Sequence, residues 1–163
     1  MTFNYRNFPR IFAVFALLLI GMLPAAHAED DDDDDEQVAV TANAKWKTEC
    51  GACHVAFPPR FLPAESWRAM MSGLDKHFGT DASLDAPATA EIGAFLEKNA
   101  GRKGRAGKPL LRITETRWFQ REHDEVSASV WKNPKVKTPA NCVACHIQAE
   151  SGNYSERNIR IPK

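Results

Sequence analysis

CGACH at residues 50–54 and CVACH at residues 142–146 decide how this chain is read. Together the two pentapeptides use every cysteine in the sequence: Cys50, Cys53, Cys142 and Cys145. On a helix, cysteines at i and i+3 share a face, and the histidine at i+4 lies beside them. That spacing lets two thiols bond the vinyl groups of one haem while the imidazole takes the iron from below. C-x-x-C-H is the attachment pattern of c-type haem. A single copy could be a redox dithiol; two copies with no cysteine to spare predict two haem c groups.

Working outward, residues 1–28 have the form of an export signal. Arg6 and Arg10 precede the apolar run IFAVFALLLIGML, and Ala26-His27-Ala28 is a small-x-small site with cleavage expected after Ala28. The run is short for a membrane span and has the wrong flanks; an uncleaved anchor is the alternative. Export predicts a periplasmic location, and c-type haems are attached outside the bacterial cytoplasm. Removing 28 of 163 residues leaves 135, with 19 basic and 21 acidic side chains because Arg6 and Arg10 are lost. Haem propionates add further negative charge. The basic face that nucleic acid requires is missing, so no nucleic-acid partner is expected.

Glu29 to Glu36, EDDDDDDE, is a like-charge block that cannot pack and is expected to be disordered. From Gln37 a helical pattern carries Val38, Ala42 and Trp46 into Cys50. VAFPPRFLP (55–63) is a proline-rich loop, and Ala64 to Leu74 forms a second helix with Trp67, Met70, Met71 and Leu74 inward. GLDKHFGTD is a glycine-flanked turn presenting His77. Asp85 caps a third helix that runs to about Asn99, with Ile92, Phe95 and Leu96 as its stripe. These elements make up a first haem domain, 37–100. GRKGRAGKP (101–109) is a basic, glycine-rich linker, and the competing reading of it is a docking patch for an acidic partner. The second haem domain is 110–163. TETRWFQREHDEV suggests a short helix carrying His123, and Thr138-Pro139 starts a helix that holds CVACH and stops near Gly152. The tail from Asn153 is expected to be extended.

Histidine counting carries the mechanism. His27 leaves with the signal, so the mature chain keeps His54, His77, His123 and His146. Two belong to the motifs and two remain for two irons. His77 follows His54 by 23 residues, and His123 precedes His146 by 23. Each half can therefore close a six-coordinate haem from its own residues. The bland reading makes His77 or His123 an ordinary surface histidine. Met70 and Met71 are rival ligands, but their helical spacing is explained by core packing. A second imidazole in place of methionine lowers the potential, within a ligand-dependent range of roughly 0.8 V. Two closed irons predict an electron carrier rather than an enzyme, with no small-molecule substrate. A fold of this length has a radius of gyration near ~14 Å, which keeps two haems close enough to exchange electrons. Arg117, Arg121, Trp118 and Phe78 are candidates for the haem environment, against a plain reading as solvated or packing residues.

With these residues in view, the chain resembles the periplasmic dihaem cytochrome c family (DHC) of Gram-negative bacteria from about Lys47 to Pro162. CGACH followed by FPPRFLPAESWRAMMSGLDKHFGTDASLD carries the likeness, as do RWFQREHDE, NCVACH and the closing IRIP. The resemblance implies a mainly α fold of two small haem-binding domains. The N-terminal one would be like a class I cytochrome c, with His77 where methionine usually sits; the C-terminal one would be irregular with few helices. It further implies that His54 and His77 serve the first haem, and His146 and His123 the second. Partners implied are redox proteins: an oxygen-binding monohaem cytochrome c or a membrane b-type cytochrome. The acidic run at 29–36 is outside that pattern. Two other readings compete: a haem enzyme or gas sensor with one dissociable histidine, and a haem-free protein whose CxxC pairs hold zinc or form disulfides.

Overall fold

The computed structural model describes residues 43–104 and 107–163. The expected export signal and acidic run lie outside the described residues. The described residues form five α-helices joined by short 3-10 turns, with isolated backbone bridges and no strand ladder among them. The mainly α expectation is met. None of the described helices is long and apolar enough to cross a membrane.

Helix α1, Ala44–Gly51, starts where Asn43 adopts extended backbone angles and its side chain accepts from the Trp46 N–H at 2.7 Å. An N-cap of this kind satisfies one of the donors left open at a helix start. The stretch from Gln37 to Ala42, where the helical pattern was expected to begin, lies outside the described residues. Helix α2, Ala64–Met71, stops short of Leu74. The Ser72 hydroxyl turns back to the Ala69 carbonyl at 2.9 Å, and Gly73 and a 3-10 turn, Leu74–Lys76, follow. Helix α3, Ala86–Lys98, begins as expected, with Asp85 accepting from the Ala88 N–H at 2.7 Å.

The three helices bury Trp46, Leu62, Trp67, Ile92 and Leu96 in one cluster, with Met70, Met71, Phe95 and Ile113 packed on its edge. Burial of large apolar side chains contributes about 1.5–3 kcal/mol each, so this cluster dominates the stability of the N-terminal half. Trp67 also ties down the proline-rich loop by donating from Nε1 to the Pro59 carbonyl at 2.6 Å. Gly101 closes the unit, its N–H reaching the Leu62 carbonyl at 2.9 Å. A methyl group there would run into the Arg60 carbonyl, so the close approach requires glycine. The Gly104 N–H then donates to Glu65 at 2.9 Å, so the basic stretch begins pinned to α2.

The C-terminal half is built differently. Helix α4, Arg117–Glu122, is capped by the Thr116 hydroxyl, and helix α5, Ala128–Trp131, is a single turn. The expected helix over Thr138–Gly152 does not form. CVACH sits on a 3-10 turn, Cys142–Ala144, and a second turn covers Ala149–Ser151. The cause is competition for backbone groups: the Arg160 N–H takes the Cys145 carbonyl at 2.9 Å, and His146 pairs with Ile159. A carbonyl committed to the tail cannot serve an α-helix. Phe119, Val136 and Ala149 are the buried apolar residues here. Side-chain amides stitch the loops: Asn141 donates to the Val136 carbonyl at 3.0 Å and Asn133 to the Pro162 carbonyl at 3.2 Å. Phe61 meets this half through Trp118 and Tyr154, with ring centroids 4.9 Å and 5.1 Å away.

Candidate haem sites

Helix α1 delivers Cys50 in its last turn, and Cys53 and His54 follow in the turn beyond. The first motif is thus half helical, and the second lies wholly on 3-10 and turn backbone. Neither sits inside a continuous helix, which corrects the geometry assumed from the i, i+3, i+4 spacing. A local turn serves as well, because the His146 N–H still closes onto the Cys142 carbonyl at 2.8 Å.

The structure brings the four histidines together in two pairs. The rings of His54 and His77 lie 6.2 Å apart, centroid to centroid, with planes 22° from parallel. Those of His123 and His146 lie 6.1 Å apart at 69°. In each pair one ring is held by the backbone. His54 Nδ1 lies 2.8 Å from the Val55 carbonyl, and His123 Nδ1 lies 2.9 Å from the Phe119 carbonyl. A carbonyl can only accept, so Nδ1 carries the proton and Nε2 is left as a free donor to a metal. Nδ1 of His77 and of His146 is buried with no hydrogen-bond partner among the described residues. Burial, and then the facing imidazole, pushes both His77 and His146 below the usual histidine range, favouring the neutral ring that ligation requires.

The thiols point the same way. Burial pushes Cys50 and Cys142 each up to about 11, and Cys145 is raised by burial too. A disulfide-exchange dithiol depends on a depressed pKa. Zinc fits poorly as well: among the described residues no three His, Cys, Asp or Glu side chains gather as a metal site. A haem iron draws four ligands from its macrocycle and needs only two from the chain. Two imidazoles for the iron and two thiols for the vinyl groups at each site make the set that fits a c-type haem.

Of the proposed surrounding residues, Phe78 stands edge-on to His77 at 4.9 Å, with a left-handed φ of 52°. Trp118 packs on Phe61, Arg121 pairs with Glu122 at 2.7 Å, and Arg117 is exposed. Sequence reasoning missed others. Phe57 stacks on His54 at 4.7 Å and Phe119 on His123 at 4.0 Å. Trp131 stands 5.9 Å from the His123 ring and Tyr154 5.4 Å from the His146 ring. The Arg112 guanidinium lies 4.1 Å over Phe78, close enough for a cation–π contact. Phe119 was findable, four residues before His123 on a helix; Arg112 and Tyr154 carry no local signal. Met70 and Met71 are committed to the α1–α3 core.

No curated protein matches the chain. Three solved chains do, among them the following two. The diheme cytochrome c from Rhodobacter sphaeroides is 42% identical, covering 71% of this chain and 98% of that one, with a TM-score of 0.65. The diheme cytochrome type c from Shewanella baltica OS155 is 40% identical, covering 74% and 93%, with a TM-score of 0.66. The family profile of dihaem cytochrome c matches residues 46–154. Two CxxCH motifs, two facing pairs of imidazoles and this likeness over most of the described chain lead to one assignment: the protein belongs to the dihaem cytochrome c family, carries two haem c groups and functions in electron transfer.

Proposed function

We propose that this chain is a periplasmic carrier of single electrons whose two haems are each held by two histidines, His54 with His77 and His146 with His123. One observation carries the reading: the ring separations of 6.2 Å and 6.1 Å. A histidine–metal bond is about 2 Å long and a ring centre lies about 1 Å behind its nitrogen, so two imidazoles across one iron stand ~6 Å apart. Both pairs stand at the separation one iron needs, although they differ in ring orientation.

When bound, haem supplies an iron that alternates between two oxidation states. The chain's part is to hold and shield. Val55 and Phe119 fix the rings of His54 and His123 through their carbonyls, and Phe57 and Phe119 cover one face of those rings. With His54 and His77 holding one haem and His146 and His123 the other, both irons would be closed to oxygen, peroxide and other small ligands, which supports a carrier over an enzyme. Imidazole in place of methionine on both irons sets low potentials. The two halves act as two haem domains, 37–100 and 110–163, the first like a class I cytochrome c. Export by the leader, with cleavage after Ala28, delivers the chain to the periplasm. An oxygen-binding monohaem cytochrome c or a membrane b-type cytochrome is the proposed redox partner.

The test is spectroscopic. The oxidised protein is expected to show two low-spin haems by EPR, and the reduced protein no change on addition of carbon monoxide. A high-spin haem, or ready carbon monoxide binding, would replace this reading with a sensor or enzyme in which a histidine leaves the iron.

A further inference from the structure

A buried hydroxyl almost always finds a hydrogen-bond partner, because leaving one unmade costs about 1–3 kcal/mol. Tyr154 breaks that rule. Its Oη is shielded from solvent and has no hydrogen-bond partner among the described residues. The ring is wedged between His146, at 5.4 Å, and Phe61, at 5.1 Å, so the phenol is held at the second haem site from two sides. A buried hydroxyl with no acceptor among the described residues wants one from elsewhere. The haem that His146 would hold supplies one. Its carboxylates are its strong acceptors, and a hydrogen bond to an ionised carboxylate is about twice as strong as one between neutral groups.

We propose that Tyr154 Oη donates a hydrogen bond to a carboxylate of the second haem. Tyr154 is then a positioning residue: it fixes how the haem sits against His146 and draws off part of the carboxylate's negative charge. Less negative charge near the iron favours its reduced form. This inference rests on the second haem site proposed above, and the two fail in different ways. Loss of His123 or His146 ligation appears as a change of spin state, whereas an idle hydroxyl leaves the spectrum as it was.

Tyr154→Phe in the holoprotein, with both haems verified by pyridine haemochrome assay, removes the hydroxyl and keeps the ring. One of the two one-electron waves is expected to move to lower potential, by about a threefold to tenfold shift in the reduction equilibrium, the size of part or all of one hydrogen bond to a charged group. The other wave should stay in place, and the thermal midpoint should fall. Potentials unchanged at both haems, with an equal or higher midpoint, would overturn the proposal: the hydroxyl would be an unsatisfied group, or bound to a water. Equal shifts of both waves would overturn it too, as the mark of a general rather than a local change.

Discussion

The two haem sites share a motif and a pair of histidines, yet they stand on different foundations. His54 and His77 sit on turns that follow α1 and α2, beside a core of Trp46, Leu62, Trp67, Ile92 and Leu96. His123 and His146 are carried by one short helix and a run of turns, around Phe119, Val136 and Ala149. The first half has a core of its own. The second has side-chain amides tying loop to loop and so few buried apolar groups that a haem must supply much of its interior. The ligation proposed for both irons therefore needs no common scaffold. A CxxCH turn and one anchored imidazole suffice, and the rest can be helix or loop.

The largest effect should come from removing each haem in turn. With Cys142 and Cys145 both replaced by alanine, amide hydrogen exchange is expected to lose protection throughout residues 110–163, while α2 and α3 keep theirs. Retained protection in the C-terminal half would show that it folds without its haem and would erase the contrast. Next comes the core itself. Ile92→Ala empties a fully buried position and should cost about 2–5 kcal/mol in denaturant unfolding. A loss under ~1 kcal/mol would mean that the haem, rather than the helices, organises the first half as well. Smaller still is the expected response to ligand exchange. His77→Met places a thioether where a loop, not a helix, presents the side chain, and should raise one wave and leave the other. Two unmoved waves would remove His77 from the first iron.

The difference between the halves also explains what could be read from sequence. Asp85, three residues before a periodic apolar run, announced α3, and its side chain caps the helix as its chemistry requires. The attachment cysteines and all four histidines were visible as a motif and a count, and the structure brings those histidines into two pairs. Thr138-Pro139 gave the wrong signal because it is a local cue. The tail residue Arg160 claims the Cys145 carbonyl from fifteen positions away, and no window of sequence holds both. Asn43 was overlooked as the cap of α1, although its side chain accepts from the Trp46 N–H. Tyr154 and Arg112 reach their sites by tertiary folding alone. By contrast, Arg117 and Arg121 were chosen for nearness to His123 in sequence, yet both are exposed and Arg121 pairs with Glu122.

Two anchored imidazoles facing two others across an iron-sized gap are the centre of this account. Near-infrared magnetic circular dichroism of the oxidised holoprotein reads axial ligands directly from their charge-transfer bands. The account predicts bis-histidine bands from both haems and no methionine–iron band. A methionine band, or a high-spin signal from either haem, would contradict it.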